Sequence, residues 1–367
     1  MKSGIGVPRC AMILAAGLGE RMRPLTARRA KPALPILNRP LIVEIARRLT
    51  AAGVKTLIVN LHHCGETVRA ALGDGAALGA SIIYSEESER PLGTGGGMGR
   101  ARPHLEKGPF LLLNGDSLPG CDFGDLALAH RRHRSLATLV VRPLRPGETY
   151  RTLEADDGGR LWRIAGRPAS PLLPPHGLRQ YVFTGVHLIE PEVFEFLPDR
   201  EVCDINHDVY PAALAAGRPL AVMPDESPWY EIGDPARYLA ASLSILESGG
   251  LDEPAERAVR KGVHAGAGVR GLKDAELSPP VWIGAQARLD VGARLHRCVI
   301  GPGCEVGTEA VIEDSVLMAG CRVGPGARLF GVVVEDGVEV PGAVEVQSQV
   351  LVREEEALTA YDLPISC

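Results

Sequence analysis

Two periodicities of apolar residues divide the chain. Up to about Ser248, short aliphatic runs alternate with stretches of helical spacing; from Ile283 onward, aliphatic residues return every six positions. In the first part, Ala11-Met12-Ile13-Leu14-Ala15 is an apolar run that leads into a glycine-rich turn. Leu41, Ile42, Ile45, Ala46 and Leu49 then recur at helical spacing, with Glu44, Arg47 and Arg48 on the opposite face. Gly53 stops that helix, and Thr56-Leu57-Ile58-Val59 begins another strand. Ser81–Tyr84 and Phe110–Leu113 continue the alternation. Strand, helix, strand in this order predicts an α/β domain over 1–248 with a mostly parallel sheet. Ligands of such sheets lie at the carboxyl ends of the strands.

Residues 251–280 are charged and irregular and read as part of a connector, 249–280. The six-residue rhythm then runs through Ile283-Gly284, Leu289-Asp290, Ile300-Gly301, Val306-Gly307, Ile312-Glu313, Val323-Gly324 and Val340-Pro341. Small residues follow four positions after several of these, at Ala287, Ala293, Cys304, Ala310 and Ala327. The rhythm slips at Leu295–Val299, near Leu317 and near Val334. A fixed short period predicts a solenoid whose aliphatic side chains stack inward. A β-sandwich would space its strands by roughly 8–12 residues. The repeat resembles the hexapeptide of left-handed parallel β-helices, here over 281–350, with 351–367 left as a C-terminal tail.

Composition narrows the functional classes. With 367 residues and a net charge of −5, the chain has no basic footprint for nucleic acid. No apolar run approaches the roughly 20 residues of a membrane span. The run Cys10–Leu18 is short for a signal peptide and ends in Gly19-Glu20-Arg21. Eight scattered cysteines without a CxxC pair suit reduced thiols, so a cytoplasmic location is expected. His62-His63-Cys64 and the pair His130/His133 lack a metal-ligand constellation, and the latter pair reads as solvated within a basic helical stretch.

Chemistry concentrates first in Leu14-Ala15-Ala16-Gly17-Leu18-Gly19-Glu20-Arg21-Met22-Arg23-Pro24-Leu25-Thr26, followed by Lys31-Pro32-Ala33-Leu34-Pro35. A strand running into a glycine loop can turn backbone N–H groups toward an anion. Gly17 and Gly19 allow close approach of a polyphosphate, and Arg21 adds a fork of donors. The segment is no Walker A loop, and Met22 stands where a dinucleotide fingerprint needs its third glycine. Asp116 follows the apolar run Phe110–Leu113, where a hard oxygen ligand suits Mg²⁺ held between carboxylates and phosphates. A lone Asp after a strand can equally be a turn residue or a helix cap.

These residues resemble the LAAGxGxRMxPLT…KPxLP signature of the sugar-1-phosphate nucleotidyltransferases, also called NDP-sugar pyrophosphorylases. The likeness continues in chain order through Pro91-Leu92-Gly93-Thr94-Gly95-Gly96-Gly97, Leu113-Asn114-Gly115-Asp116, Phe183-Thr184-Gly185-Val186 and Trp229-Tyr230-Glu231-Ile232-Gly233. It implies a Rossmann-like mixed or parallel sheet, and Mg²⁺-dependent transfer of a nucleotidyl group from an NTP to a sugar 1-phosphate. By the same resemblance, Arg21, Lys31 and Asp116 are catalytic. Leu14, Ala15, Ala16, Gly17, Gly19, Glu87, Gly93, Thr94 and Gly95 surround the nucleotide. Asn114, Gly115, Arg167, Thr184 and Gly185 face the sugar, with Arg167 standing where the family carries lysine. Asp116 and Glu231 hold the metal. The family pattern has Asp at the second position, and Asp234 is the alternative ligand unless it caps a helix starting near Pro235. Among members, the motifs look most like mannose-1-phosphate guanylyltransferases, and stand close to heptose-1-phosphate guanylyltransferases and N-acetylmuramate-1-phosphate uridylyltransferases. A non-catalytic nucleotide-sugar sensor is the rival reading. The three to four coils of the solenoid, with His296 as their sole histidine, suit homo-oligomeric assembly or regulation better than acyl transfer.

Overall fold

The strand Cys10–Leu14 lies between two parallel neighbours, Thr56–Leu61 and Phe110–Asn114, in a register that sets Leu14 level with both Asn60 and Asn114. A computed structural model describes residues 6–164, 167–168 (backbone alone), 176–251, 256–355 and 357–363. Within them these strands form the middle of a ten-stranded mixed sheet. Ser81–Glu86 extends it in parallel on one side. On the other side the long strand Arg179–Ile189 runs antiparallel to Phe110–Asn114 and also pairs with Ala137–Pro143 and Thr152–Ala155. Met12, Ile58, Phe110 and Leu112 are wholly buried on one face, and Ala11, Ile13, Leu57, Val59 and Leu111 on the other, so the apolar runs of the sequence are strands buried on both faces. Among the described residues, no helix is long and apolar enough to cross a membrane.

The chain forms two units. The first contains the residues up to Leu18, Arg29–Ala33 and Leu41–Tyr230; the second contains Gly19–Arg28, Leu34–Pro40 and the chain from Glu231 onward. By compactness the second unit begins ahead of the boundary expected at 248 and takes in the helix before it. The helix Pro235–Glu247 belongs with the second unit because it is buried on nearly every face there, and Arg297 of the solenoid pairs with its Glu247. Tyr238 of the same helix donates its hydroxyl to the Pro35 carbonyl, 2.6 Å away.

The second unit is built of stacked parallel strands. Arg288 pairs with Glu305, Glu305 with Arg322 and Arg322 with Glu339, each 17 positions on. A coil of 17 residues is two six-residue sides and one of five. The slips in the six-residue rhythm are those short sides, from Leu295 to Ile300, Ile312 to Leu317 and Leu329 to Val334, whose aliphatic side chains are all buried. Corners turn through left-handed residues at the same spacing: Arg297, Asp314, Gly331 and Ser348 follow one another down one edge. The ladder begins earlier than the sequence suggests. Val263–Ala265 already pairs in parallel with Val281–Ile283, inside the stretch read as a connector. The inward positions there are Val263, Val269, Ala275 and Val281, and charged neighbours hide their period. This adds His264, packed on Trp282, to the coils. The expected tail is no tail either, since Gln349–Glu354 and Ala357–Asp362 close the stack as an antiparallel hairpin.

Two local expectations fail for the same reason, namely polar groups taken into the interior with partners. Glu44 is buried beneath the first helix, holding Arg48, whose Nη1 donates to the Pro119 carbonyl at 2.7 Å. His130 is buried as well, with Nδ1 2.9 Å from Thr138 Oγ1 and Nε2 3.1 Å from Glu190 Oε1. Burial lowers its pKa, partly offset by Glu190.

Candidate active site

A cavity of about 240 Å³ opens at the carboxyl edge of the central strands. Leu14, Ala15, Ala16 and Gly17 form one wall, and Asn114, Gly115 and Asp116 form the next. These two segments are tied by Gly115 N–H, which donates to the Leu14 carbonyl at 2.9 Å. Lys31 and Pro32 close a third side; Glu87, Gly93 and Thr94 contribute from the segment after Ser81–Glu86. Eleven residues selected from the sequence meet here, together with Asn60, which the sequence reading passed over.

Lys31 Nζ donates to Asp116 Oδ2 at 2.8 Å, the lysine side chain 11% and the aspartate side chain 33% exposed. An ammonium and a carboxylate are thus held against each other at the mouth of the glycine turn. Because proline follows it, Lys31 is biased toward extended backbone. It instead opens a single 3₁₀ turn, Lys31–Ala33, closed by Ala33 N–H on the Ala30 carbonyl at 2.9 Å.

Asn60 stands at the tip of its strand and works in two directions. Its Oδ1 accepts from Ala15 N–H at 2.8 Å, and its Nδ2 donates to Glu87 Oε1 at 2.7 Å. The other oxygen of Glu87 accepts from Leu92 N–H at 2.7 Å. Both side chains are buried.

The second glycine segment is helix rather than loop, spanning Gly93–Arg100. Its glycines conceal the helix from propensity. They leave room for the chain near Cys203 that crosses it: a Cβ at Gly93 would lie 2.5 Å from the Cys203 carbonyl oxygen, and one at Gly96 2.1 Å from that of Glu201. The Gly95 and Gly96 N–H groups donate to the Cys203 carbonyl at 3.0 and 3.2 Å. Thr94 Oγ1 donates to Asp204 Oδ2 at 2.9 Å and accepts from Ile205 N–H at 2.9 Å. Gly95 lies in this helix and is not part of the cavity lining.

Thr184 and Gly185 are also absent from that lining. The Thr184 hydroxyl is spent on the Val140 carbonyl at 2.8 Å, where a bulge shifts the register of the long strand. Its carbonyl accepts from Trp229 Nε1 at 2.8 Å and, more weakly, from Ser117 Oγ at 3.4 Å. Trp229 and Tyr150 meet edge to face, with the Arg142 guanidinium 5.1 and 5.3 Å from their ring centres. Arg142 is fixed by a two-pronged pair with Glu148 at 2.7 and 2.8 Å. The hydrogen bond from Arg142 holds the Glu148 carboxyl below its ordinary pKa. The side chain of Arg167 lies outside the described residues.

In the second unit, Gly19 takes a left-handed conformation ahead of a 3₁₀ turn, Glu20–Met22, that carries Arg21. Thr26 Oγ1 donates to the Gly19 carbonyl at 2.8 Å and ties the turn to its own continuation. Glu231 is paired with Arg237. Asp234 caps the helix Pro235–Glu247, accepting from Arg237 N–H at 2.9 Å, so a structural role occupies the alternative metal ligand. Among the described residues, no three His, Cys, Asp or Glu side chains gather as a metal cage.

Residues 10–248 match the nucleotidyl transferase family, and residues 261–360 match the GMPPB C-terminal domain. A UTP–glucose-1-phosphate uridylyltransferase from Synechocystis is 30% identical over 93% of this chain and 92% of its own length. A mannose-1-phosphate guanylyltransferase from Mycobacterium tuberculosis is 30% identical over 83% of this chain and 82% of its own. An N-acetylmuramate α-1-phosphate uridylyltransferase from Neisseria meningitidis is 36% identical over 50% of this chain and 77% of its own.

Proposed function

Because the chain belongs to the nucleotidyl transferase family, as a sugar-1-phosphate nucleotidyltransferase, we propose that it transfers the guanylyl group of GTP to mannose 1-phosphate, releasing pyrophosphate. The observation that carries the reading is the Lys31–Asp116 pair, set in a cavity walled by the Leu14–Gly17 turn. A sugar phosphate oxygen attacks the α-phosphorus in line; that P–O bond forms as the bond from the α-phosphorus to the bridging oxygen of pyrophosphate breaks. Such a reaction needs no covalent intermediate and is accelerated by positioning and by charge neutralisation.

Each residue has a part suited to its chemistry. Backbone N–H groups of Ala16 and Gly17 serve phosphate oxygens, as do those of Gly93 and Thr94 at the start of the helix Gly93–Arg100. Lys31 steadies phosphate charge once it leaves Asp116, and Arg21 offers its fork to the departing pyrophosphate. Mg²⁺ needs only one or two carboxylates beside substrate phosphates, so Asp116 in the cavity wall is a fitting donor; Glu231 is the second donor by the family resemblance alone. The ion supplies charge neutralisation at the phosphates when bound.

The guanylyl and mannosyl assignments rest on the motif likeness and on the Mycobacterium tuberculosis relative. The Synechocystis relative, similar over nearly the whole chain, favours UTP with glucose 1-phosphate as the second reading. Pyrophosphate release with Mg²⁺, crossing five NTPs with a panel of sugar 1-phosphates, decides. Turnover highest with GTP and mannose 1-phosphate supports the assignment. A different best pair replaces it, and silence across the grid removes the transferase reading.

A further inference from the structure

Asn60 and Glu87 sit in the cavity wall, but their polar atoms are committed to the protein itself. Asn60 reaches back 45 positions to Ala15 N–H and forward 27 positions to Glu87. Glu87 in turn holds Leu92 N–H, immediately before the second glycine segment. One unbroken run of hydrogen bonds, Ala15 N–H to Asn60 to Glu87 to Leu92 N–H, thus joins the two glycine segments on either side of the cavity.

We propose that Asn60 and Glu87 are a buried positioning pair that sets both phosphate-facing segments as one piece, and that Glu87 acts there as a strut and does not read the nucleotide base. This rests on the nucleotidyl-transfer reading of the same cavity. Three features support it. Glu87 is only 2% exposed and Asn60 3%. Each carboxylate oxygen already accepts a bond of 2.7 Å. Nor is there room on the side of the pair away from the cavity opening, at Gly97: a methyl group placed there would lie 2.7 Å from Glu87 Oε1 and 2.8 Å from Asn60 Nδ2.

The direction of each bond makes the pair testable by inversion. In Asn60→Asp alone, two carboxylates face each other across the bond. In Glu87→Gln alone, an amide NH₂ must face either Asn60 Nδ2 or Leu92 N–H. Buried groups mismatched in this way lose their bond and keep the desolvation cost. In the double variant the bond reverses. The amide introduced at position 87 donates to the carboxylate introduced at position 60, and its oxygen accepts from Leu92 N–H. The carboxylate at position 60 still accepts from Ala15 N–H, and the net charge is unchanged.

The experiment measures steady-state constants and direct titration with GTP and with UTP for the wild type, both single variants and the double. Each single variant should raise KM and Kd for nucleotide about tenfold or more, while kcat at saturating nucleotide changes less. The double variant should return to within about threefold of the wild type. The preference between GTP and UTP should be the same in all four proteins. A double variant no better than the worse single overturns the proposal, as does one that recovers affinity but alters base preference about tenfold. If the wild type binds nucleotide but turns over no sugar 1-phosphate, only the transferase reading fails, and the titrations still judge the pair. If it binds no nucleotide, both fall.

Discussion

Lys31 Nζ and Asp116 Oδ2 stand 2.8 Å apart, and they approach from segments 85 positions distant in the chain. Each is the partner that holds the other in place, and on the proposed function both are freed when phosphate and metal compete for them. An ion pair buried to this degree gains little net for folding, because desolvation offsets its attraction. On the proposed function its value lies in chemistry, where a charge aimed at a transferring phosphoryl group is worth roughly 10²–10³ in rate. Lys31→Met and Asp116→Asn should therefore each lower kcat/KM by about that factor while thermal unfolding moves little. Melting curves beside the kinetics check this. A collapse in stability of the same rank as the loss of activity would make the pair a structural clasp.

Gly97 supplies a test of packing at the nucleotide cavity. The nearest atoms to an added Cβ belong to Asn60 and Glu87, which are locked by their hydrogen bonds and cannot swing aside. Overpacking of this sort costs about 1–3 kcal/mol. Gly97→Ala should raise nucleotide KM and lower the melting temperature together. Gly108, with open space around it, is the control that should do neither.

What the sequence made legible follows from how far apart the partners are. The Leu14–Gly17 turn, Lys31 and Asp116 are carried by short motifs, and their meeting in one cavity needs only the strand order. Asn60 gave no such signal, because an asparagine ending a strand looks like a turn residue, and its partners lie 45 and 27 positions away. His130 and Glu44 were misread because a polar residue on a helix defaults to solvent, whereas here Glu190 and Arg48 follow them inside. The solenoid was legible wherever Leu, Ile and Val fill its inward positions. It was lost over 263–280, where Ala275 and scattered charges weaken the pattern. The 17-residue coil explains the slips that six-residue counting leaves over.

His187 predicts how the first unit responds to acid. The imidazole is buried between Phe183 and Tyr210, hydrogen-bonded to the tyrosine hydroxyl at 2.9 Å, and burial holds its pKa down at about 3. The unfolded chain protonates this residue near 6.5. Its contribution is fully present above that value and is lost as pH falls from 6.5 toward 3, since only the unfolded state then takes up the proton. At pH 5 the loss is about 2 kcal/mol. His187→Asn keeps a polar atom for Tyr210 and removes the titration. Urea midpoints at pH 7.5 and pH 5 should therefore differ less in the variant. An unchanged difference would mean that His187 takes up its proton in the folded state.

In the solenoid, two glycines separate packing from backbone conformation. At Gly301 an added Cβ would lie 2.3 Å from the Met318 carbonyl oxygen and 2.4 Å from its carbon, both backbone atoms of the next coil. Neither can move without shifting the ladder, so Gly301→Ala should cost at least about 1–3 kcal/mol. Gly337 has a positive φ of 68° and nothing within 4 Å of its missing Cβ. Asparagine tolerates that left-handed conformation, so Gly337→Asn should be nearly neutral. Each coil touches only its neighbours, so the damage in Gly301→Ala should stay local. Hydrogen exchange should quicken in the strands around residues 299–300 and 316–317, which pair across that step, and remain slow in the closing hairpin Gln349–Asp362. Equal destabilisation by the two substitutions would mean that turn conformation, and not the closeness of stacked backbones, limits the coil.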